Sequence, residues 1–284
     1  MDYHIKNQQT MLSDAKIIAL YCIVDDILKG LRHYEDKTMR VSDSEIITTA
    51  FVSALYFGGH LENGCHFMKM QGYIPNMLGK SRYCRRLHRL SDFLVTIFFQ
   101  LGTEIKSMAG ADSYQLDSFP VAVCDNARIT RSKILKGNAY HGYNASKKRY
   151  FYGVKVQVMA LHGIPVEFCL VPGSEHDTLA LGKLPLDVAP ESCIYMDAGY
   201  TDYLSEDDLF AADLVYAKVQ RKKNSKRRDL PFQRFLKDIM RKRIESDFSQ
   251  INSKMRKYIH AVTAQGFLLK VTLFVIAFAF DKIA

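Results

Sequence analysis

The sequence predicts an α/β protein: a helical N-terminal region followed by a mixed sheet flanked by helices. Three observations lead to that class. Apolar residues recur at helical spacing through roughly the first hundred positions. From Gly110 onward the texture changes to short alternating or wholly apolar runs bounded by turn residues. A long basic segment with a helical pattern then begins at Pro231. The chain has 284 residues, 48% of them apolar and 24% charged, so it is long enough for one large or two modest domains and too apolar for disorder.

Each element has its own reason. Asp14–Leu31 carries Ile17, Ile18, Leu20, Tyr21, Ile23, Val24, Ile27 and Leu28 on a helical repeat. Ser42 and Glu45 stand at capping-box spacing before an apolar run, predicting a helix through Ile46, Ile47, Ala50, Phe51 and Ala54 that stops at Gly58-Gly59. Gly72-Tyr73-Ile74-Pro75 marks a turn, and Ser81–Gln100 resumes the helical pattern, basic in front and apolar behind. Tyr114–Val123 reads as a strand. In Phe151–Leu161, Val154, Val156 and Val158 alternate with Lys155 and Gln157, and His162-Gly163 turns this strand into Ile164–Val171 as a hairpin. Asp177–Leu184 reads as a short helix, and Ser192–Met196 and Leu214–Val219 as two further strands. Pro231, a favoured first helical residue, opens a long helix to about His260. Periodicity alone gives only α/β. The order strand, hairpin, short helix, strand, strand, long helix matches the layout of a ribonuclease H-like fold.

The net charge of +9 is localised. Between Lys218 and Arg243 stand twelve Lys/Arg residues, among them Lys222, Lys223, Arg227, Arg228 and Arg241, against only Asp229 and Asp238. Smaller basic clusters are Lys80–Arg89 (Lys80, Arg82, Arg85, Arg86, Arg89) and Arg128–Arg149. Three such clusters around candidate carboxylates favour a polyanionic partner over an ordinary solvated surface. The six cysteines form no C-x-x-C pair and no secretory leader is read, which predicts a reduced cytoplasmic protein with thiols mostly in the core. His60, Cys65, His66, Cys84 and His88 fit no familiar zinc spacing. The apolar stretch Phe267–Phe280 contains Lys270 and is too short for a bilayer, so it reads as a buried helix or a late strand-like core element.

Three acids stand out against this background. Asp117 in YQLDSFPV and Asp197 in CIYMDAGYTD each close a short apolar run ahead of a turn, and Glu245 in RKRIESDFSQI lies on the basic helix beside its apolar stripe Ile244, Phe248, Ile251 and Met255. Arg241, one helical turn before Glu245, is placed either to contact a phosphate or to form an ordinary surface ion pair with it. A lone strand-end Asp is commonly a turn residue. Two such Asp and a helix Glu together are what a two-metal phosphoryl-transfer site needs, because hard Mg²⁺ or Mn²⁺ takes carboxylate oxygens and a pair of ions about 4 Å apart can hold the attacking and leaving oxygens.

With these residues in view, the chain resembles DDE transposases of bacterial insertion sequences, most of all the short proteins of the insertion-sequence 982 family. The likeness rests on Asp117 in L-D-S-F-P, Asp197 in D-A-G-Y, and R-x-x-x-E with Ile244 and Phe248 around Glu245. The Ser81–Leu90 stretch also resembles that family's N-terminal region, so nearly the whole chain is covered. Two positions depart from the related superfamily pattern: Asp238 stands where a Tyr precedes the Arg, and Asn252 where a Lys follows the Glu, leaving Lys254 or Arg256 as its substitute. His176-Asp177 recurs in such proteins after the hairpin, which makes Asp177 an accessory acid, with a helix-cap role as the alternative.

The resemblance implies residues 1–108 as a helical region for DNA binding, dimerisation or both, and 109–284 as a ribonuclease H-like DDE catalytic domain. It implies a transposase that cleaves and transfers DNA strands with two Mg²⁺ or Mn²⁺ ions on Asp117, Asp197 and Glu245, without a covalent protein–DNA intermediate. Its partners would be double-stranded DNA, as element ends and target, and a second copy of the chain in the DNA complex. The setting would be cytoplasmic, on the nucleoid when bound, with no membrane. Two other readings fit some of these residues: a metal-dependent nuclease on the same fold without strand transfer, and a non-catalytic DNA-binding regulator that would have no use for the three acids.

Overall fold

The computed structural model describes residues 13–36, 38–144, 147–255 and 259–284. Five helices come first: α1 (Asp14–Gly30), α2 (Asp43–Phe57), α3 (Leu61–Met70), α4 (Lys80–Arg89) and α5 (Ser91–Ala109). The expected capping box starts α2: Ser42 Oγ accepts from the Glu45 amide at 3.1 Å, and the Ser42 amide donates back to Glu45 Oε2 at 2.6 Å. The single helix expected over Ser81–Gln100 is two, broken at Leu90, whose ψ of 1° leaves the helical region.

The sheet follows: β1 (Ser113–Cys124), β2 (His141–Asn144), β3 (Arg149–Leu161), β4 (Ile164–Pro172), β5 (Cys193–Met196) and β6 (Tyr216–Val219). β3 pairs antiparallel with β1 on one edge and with β2 and then β4 on the other, while β5 and β6 add in parallel beyond β1. This is the mixed sheet of a ribonuclease H-like α/β domain. The 151–171 hairpin forms about His162-Gly163 as expected, both residues at positive φ. β2 was not anticipated, since four residues carry too little pattern to register. Between the strands lie α6 (Asp177–Leu181) and α7 (Tyr203–Asp213), the latter also unanticipated. Leu214, expected in a strand, instead ends α7 at φ 55°.

Two helices complete the fold: α8 (Pro231–Lys254) and α9 (Ala264–Ile283). The first is shorter than the expected run to His260, and Arg256 lies outside the described residues. Phe267–Phe280 forms most of α9 and is buried almost throughout, settling that stretch as a helix. No helix among the described residues is long and apolar enough to cross a membrane.

The sheet has two faces. One carries Phe119, Val121, Val154, Val156 and Val158 into a core shared with α1–α5, α8 and α9; the other packs Tyr114, Leu116, Met159 and Leu161 against Leu181 and Leu184. The core therefore runs through the expected boundary at 108/109, and α9 packs against both α2 and β4. α5 meets β4 at Gly102, where a Cβ would collide with the Val166 carbonyl. Val166 is the residue skipped in the β3–β4 register, so the bulge and the missing side chain fit each other. Beside them Lys106 on α5 donates to Glu167 Oε1 at 2.7 Å, and the Leu186 amide donates to Oε2 at 2.9 Å. Glu167 is fully buried.

Removing one partner of this ion pair leaves an uncompensated buried charge, so Lys106→Ala should lower the unfolding free energy by about 3–5 kcal/mol. Urea titration of the variant beside Lys106→Met with Glu167→Leu checks it: the double variant should recover much of the loss.

Candidate active site

β1 and β5 pair in parallel from Ser113↔Cys193 to Leu116↔Met196. One more residue along that register brings Asp117 alongside Asp197. There β5 ends in a 3₁₀ turn, Ala198–Tyr200, while β1 continues to Cys124 against β3. Asp117 therefore does not close its strand, as its apolar run suggested; the sheet opens there because its neighbour stops. The opening is of the kind that parallel α/β sheets use at their carboxyl edges.

Both carboxylates are held locally. Asp117 Oδ1 accepts from the Ser118 amide at 2.7 Å, and Asp197 Oδ1 from the Gly199 amide at 2.6 Å. A Cβ on Gly199 would lie 2.9 Å from Asp197 Oδ1 and 3.2 Å from Asp177 Oδ2, so a third acid stands at the same point and any side chain at 199 would press on both carboxylates. Asp177 is fixed by Ser118 Oγ and Lys155 Nζ, each donating to Oδ1 at 3.2 Å. Lys155 also donates to the Glu175 carbonyl at 2.6 Å, and Gln157 Nε2 to the Asp177 carbonyl at 3.3 Å. Lys155 and Gln157 passed as the polar half of an alternating strand in the sequence. Their role shows only once β3 lies beside α6.

The electrostatics follow from this crowding. Burial, with the negative charges of Asp197 and Asp177, pushes the Asp117 carboxyl up to about 7. Asp197 is solvent-exposed as a residue, yet its carboxyl faces the cleft and is raised by desolvation and by Asp177, while Arg241 and Lys222 pull it back.

α8 crosses the face on which Asp117 sits, with Ile244, Phe248 and Ile251 buried and Phe248 edge-on to Phe119 at 6.3 Å. Glu245 is next to that stripe and lines the same cleft of about 880 Å³ as Asp117, Asp177 and Asp197. It is 60% exposed and accepts from Arg241 Nε at 2.9 Å. Arg241 is tied further: its Nη1 donates to Gln220 Oε1 at 3.0 Å, and Gln220 Nε2 to Asp238 Oδ1 at 2.9 Å. Asp238, one of the two departures from the related pattern, thus steadies the Arg through Gln220.

The three Asp are together; Glu245 stands at the rim, engaged with Arg241. Among the described residues no three His, Cys, Asp or Glu side chains already converge on a point able to hold a metal ion. The donor set nonetheless suits a hard cation, being all oxygen, with negative charge gathered at the cleft floor beside the buried Asp117. A cation there would be held by Asp117 and Asp197, with Glu245 on the rim of the same cleft. The thiols offer nothing comparable: burial pushes Cys65 up to about 12 and also raises Cys84.

The basic segments divide into structural and free cations. Arg227 pairs with Asp207 at 2.7 Å and lies 4.8 Å over the Tyr203 ring. Arg221, half-buried on Glu206, also lies over the Tyr203 ring at 5.3 Å, and Lys237 is buried on Asp229 and the Val219 carbonyl. These contacts pin the loop between β6 and α8 to α7 and leave Lys222, Lys223 and Arg228 exposed. Arg86 is a correction to the expected DNA contacts: it is mostly buried and spent on Glu35, Asp43 and the Val41 carbonyl, while Arg82 and Arg85 stay exposed. Lys254 lies 5.8 Å over the Tyr56 ring of α2 and does not line the cleft.

Residues 109–271, more than half of the chain, match the protein family described as Transposase DDE domain. No curated protein and no solved structure matches the chain.

Because the pKa of Asp117 in the folded protein, about 7, lies above its ordinary 3.8, folding takes up a proton between those values. That stabilising contribution is whole below pH 4 and is lost as pH rises through 7. Asp117→Asn should therefore stabilise the metal-free protein at pH 8 by about 1–3 kcal/mol and leave it little changed at pH 4, as thermal melts at both pH values would show.

Proposed function

The chain belongs to the Transposase DDE domain family, and from that premise we propose that it cleaves and transfers the DNA ends of an insertion sequence at the Asp117–Asp197–Glu245 cleft. The observation that carries this reading is the register of β1 and β5, which sets two aspartates side by side under a helix bearing the third acid. Members of such families generally use divalent metals, and the all-oxygen set here suits Mg²⁺ or Mn²⁺. Bound between these carboxylates, two such ions supply Lewis-acid activation of the attacking oxygen and charge stabilisation for the leaving one.

The chain's own residues do the rest. Asp117 and Asp197 would hold the cations at the sheet edge, and Glu245 would complete their site from α8. Arg241, relieved of Glu245, is positioned to meet a phosphate oxygen. Ser118 and Lys155 hold Asp177 in place as an accessory acid. Lys222 and Lys223 grip the DNA backbone from the pinned loop, with Arg228 beside them. Attack by water and then by the freed 3′-hydroxyl needs no covalent link to the protein. Residues 1–108 serve the assembly: Arg82 and Arg85 on α4 face solvent for DNA, and pairing two element ends calls for a second copy of the chain.

Cleavage of a labelled duplex carrying the element's own end tests this. Mg²⁺-dependent cutting should fall on the order of 10⁴-fold in Asp197→Ala, with DNA binding retained. Equal activity in both proteins would overturn the assigned acids. Cutting without joining to a second duplex would reduce the protein to a nuclease, and binding without cutting to a regulator. Lys222→Ala with Lys223→Ala should lower the slope of log affinity against log salt by about 2, whatever the DNA sequence.

A further inference from the structure

β2 pairs with Arg149–Tyr152 at the start of β3, a stretch that no part of the catalytic reading uses. Tyr143 and Tyr150 are direct cross-strand partners on it, with ring centroids 5.0 Å apart and planes at 57°. They are 50% and 69% exposed, whereas Tyr152, the next aromatic on that face, is buried against His141 and the loop before β2. Asn126 Nδ2 donates to the Tyr150 carbonyl at 2.9 Å and holds β3 beside the rings. Lys147 and Lys148 lie in the turn and Arg149 begins β3, all three exposed. Tyr143, Lys147 and Arg149 line the same cleft as the acids.

Two large aromatic rings left in water cost hydrophobic burial, and a cross-strand contact by itself recovers little of it. Aromatic faces between cations, at the mouth of an acidic cleft, are the pattern that binds unpaired nucleobases: rings take the bases and cations take the phosphates. We propose that Tyr143 and Tyr150 form a stacking platform for unpaired bases of the DNA strand entering the cleft, with Lys147 and Arg149 holding that strand's backbone. This rests on the reading that the chain acts on DNA. β3 runs from Tyr150 to Lys155, the lysine that holds Asp177, so the platform and the anchor of that acid lie along one strand of the sheet. The bases the platform receives are therefore those near the reacting bond, unpaired where the duplex meets the sheet.

Binding of full-length protein without metal to two fluorescent DNAs tests this. One is a blunt duplex, the other the same duplex with a six-nucleotide single-stranded extension carrying 2-aminopurine. Wild type should prefer the extended duplex and quench the 2-aminopurine. Tyr143→Thr with Tyr150→Thr, which puts strand-favouring β-branched residues in place of the rings, should lose on the order of tenfold or more on the extended duplex and little on the blunt one. Tyr143→Phe with Tyr150→Phe, which keeps the rings, should behave as wild type. Equal losses on both DNAs, or an unchanged preference in the Thr variant, would overturn the platform while leaving the DNA-processing reading intact. No binding of either DNA by wild type would overturn both.

Discussion

The site depends on one constraint: two parallel strands stop pairing one residue short of two aspartates. Neither carboxylate would be placed there by its own preference. Burial, and then the like charges of Asp197 and Asp177, raise the Asp117 carboxyl, an electrostatic cost that the fold meets by over-determining the backbone. β1 is bound on both edges, to β5 and to β3, so the two acids cannot separate without breaking the centre of the sheet. Gly199 then lets a third acid close in, and Lys155 reaches across from β3 to hold it.

The helices serve the same end from further away. α8 covers the Asp117 face through Ile244, Phe248 and Ile251, which fixes where Glu245 and Arg241 can reach. On the same face, α5 and α9 lock β4, through the bulge at Val166 and the buried Lys106–Glu167 pair. Because the core is continuous from Ile17 to Phe280, the N-terminal helices pack with α8 and α9 against the sheet as well as offering a candidate binding surface.

Charge is divided by partner. In the basic run the fold spends Arg221, Arg227 and Lys237 on Glu206, Asp207 and Asp229 to shape a loop, and leaves Lys222, Lys223 and Arg228 to solvent. At Tyr203 the planar guanidinium groups of Arg221 and Arg227 each meet a carboxylate and the aromatic ring together. The same logic removes Arg86 from the exposed set on α4. A charge count along the chain could not separate these roles, since Glu206 and Asp207, the partners of Arg221 and Arg227, lie on α7 outside the run.

The sequence alone was enough for what is local. Periodicity of 3.6 and of 2, the Ser42–Glu45 box, the His162-Gly163 turn and Pro231 each act within a few residues, so the helices, the hairpin and the α/β class were legible. So were three acids in three contexts, as types and positions. Pairing decided the remainder. That Asp117 lies within a strand, that Asp177 is held beside Asp197 by Lys155, that Asp238 reaches Arg241 through Gln220, and that Tyr143 faces Tyr150 all depend on register or on contacts between separate elements. Local preference carries no information about such contacts, because their energy exists only once distant segments have met.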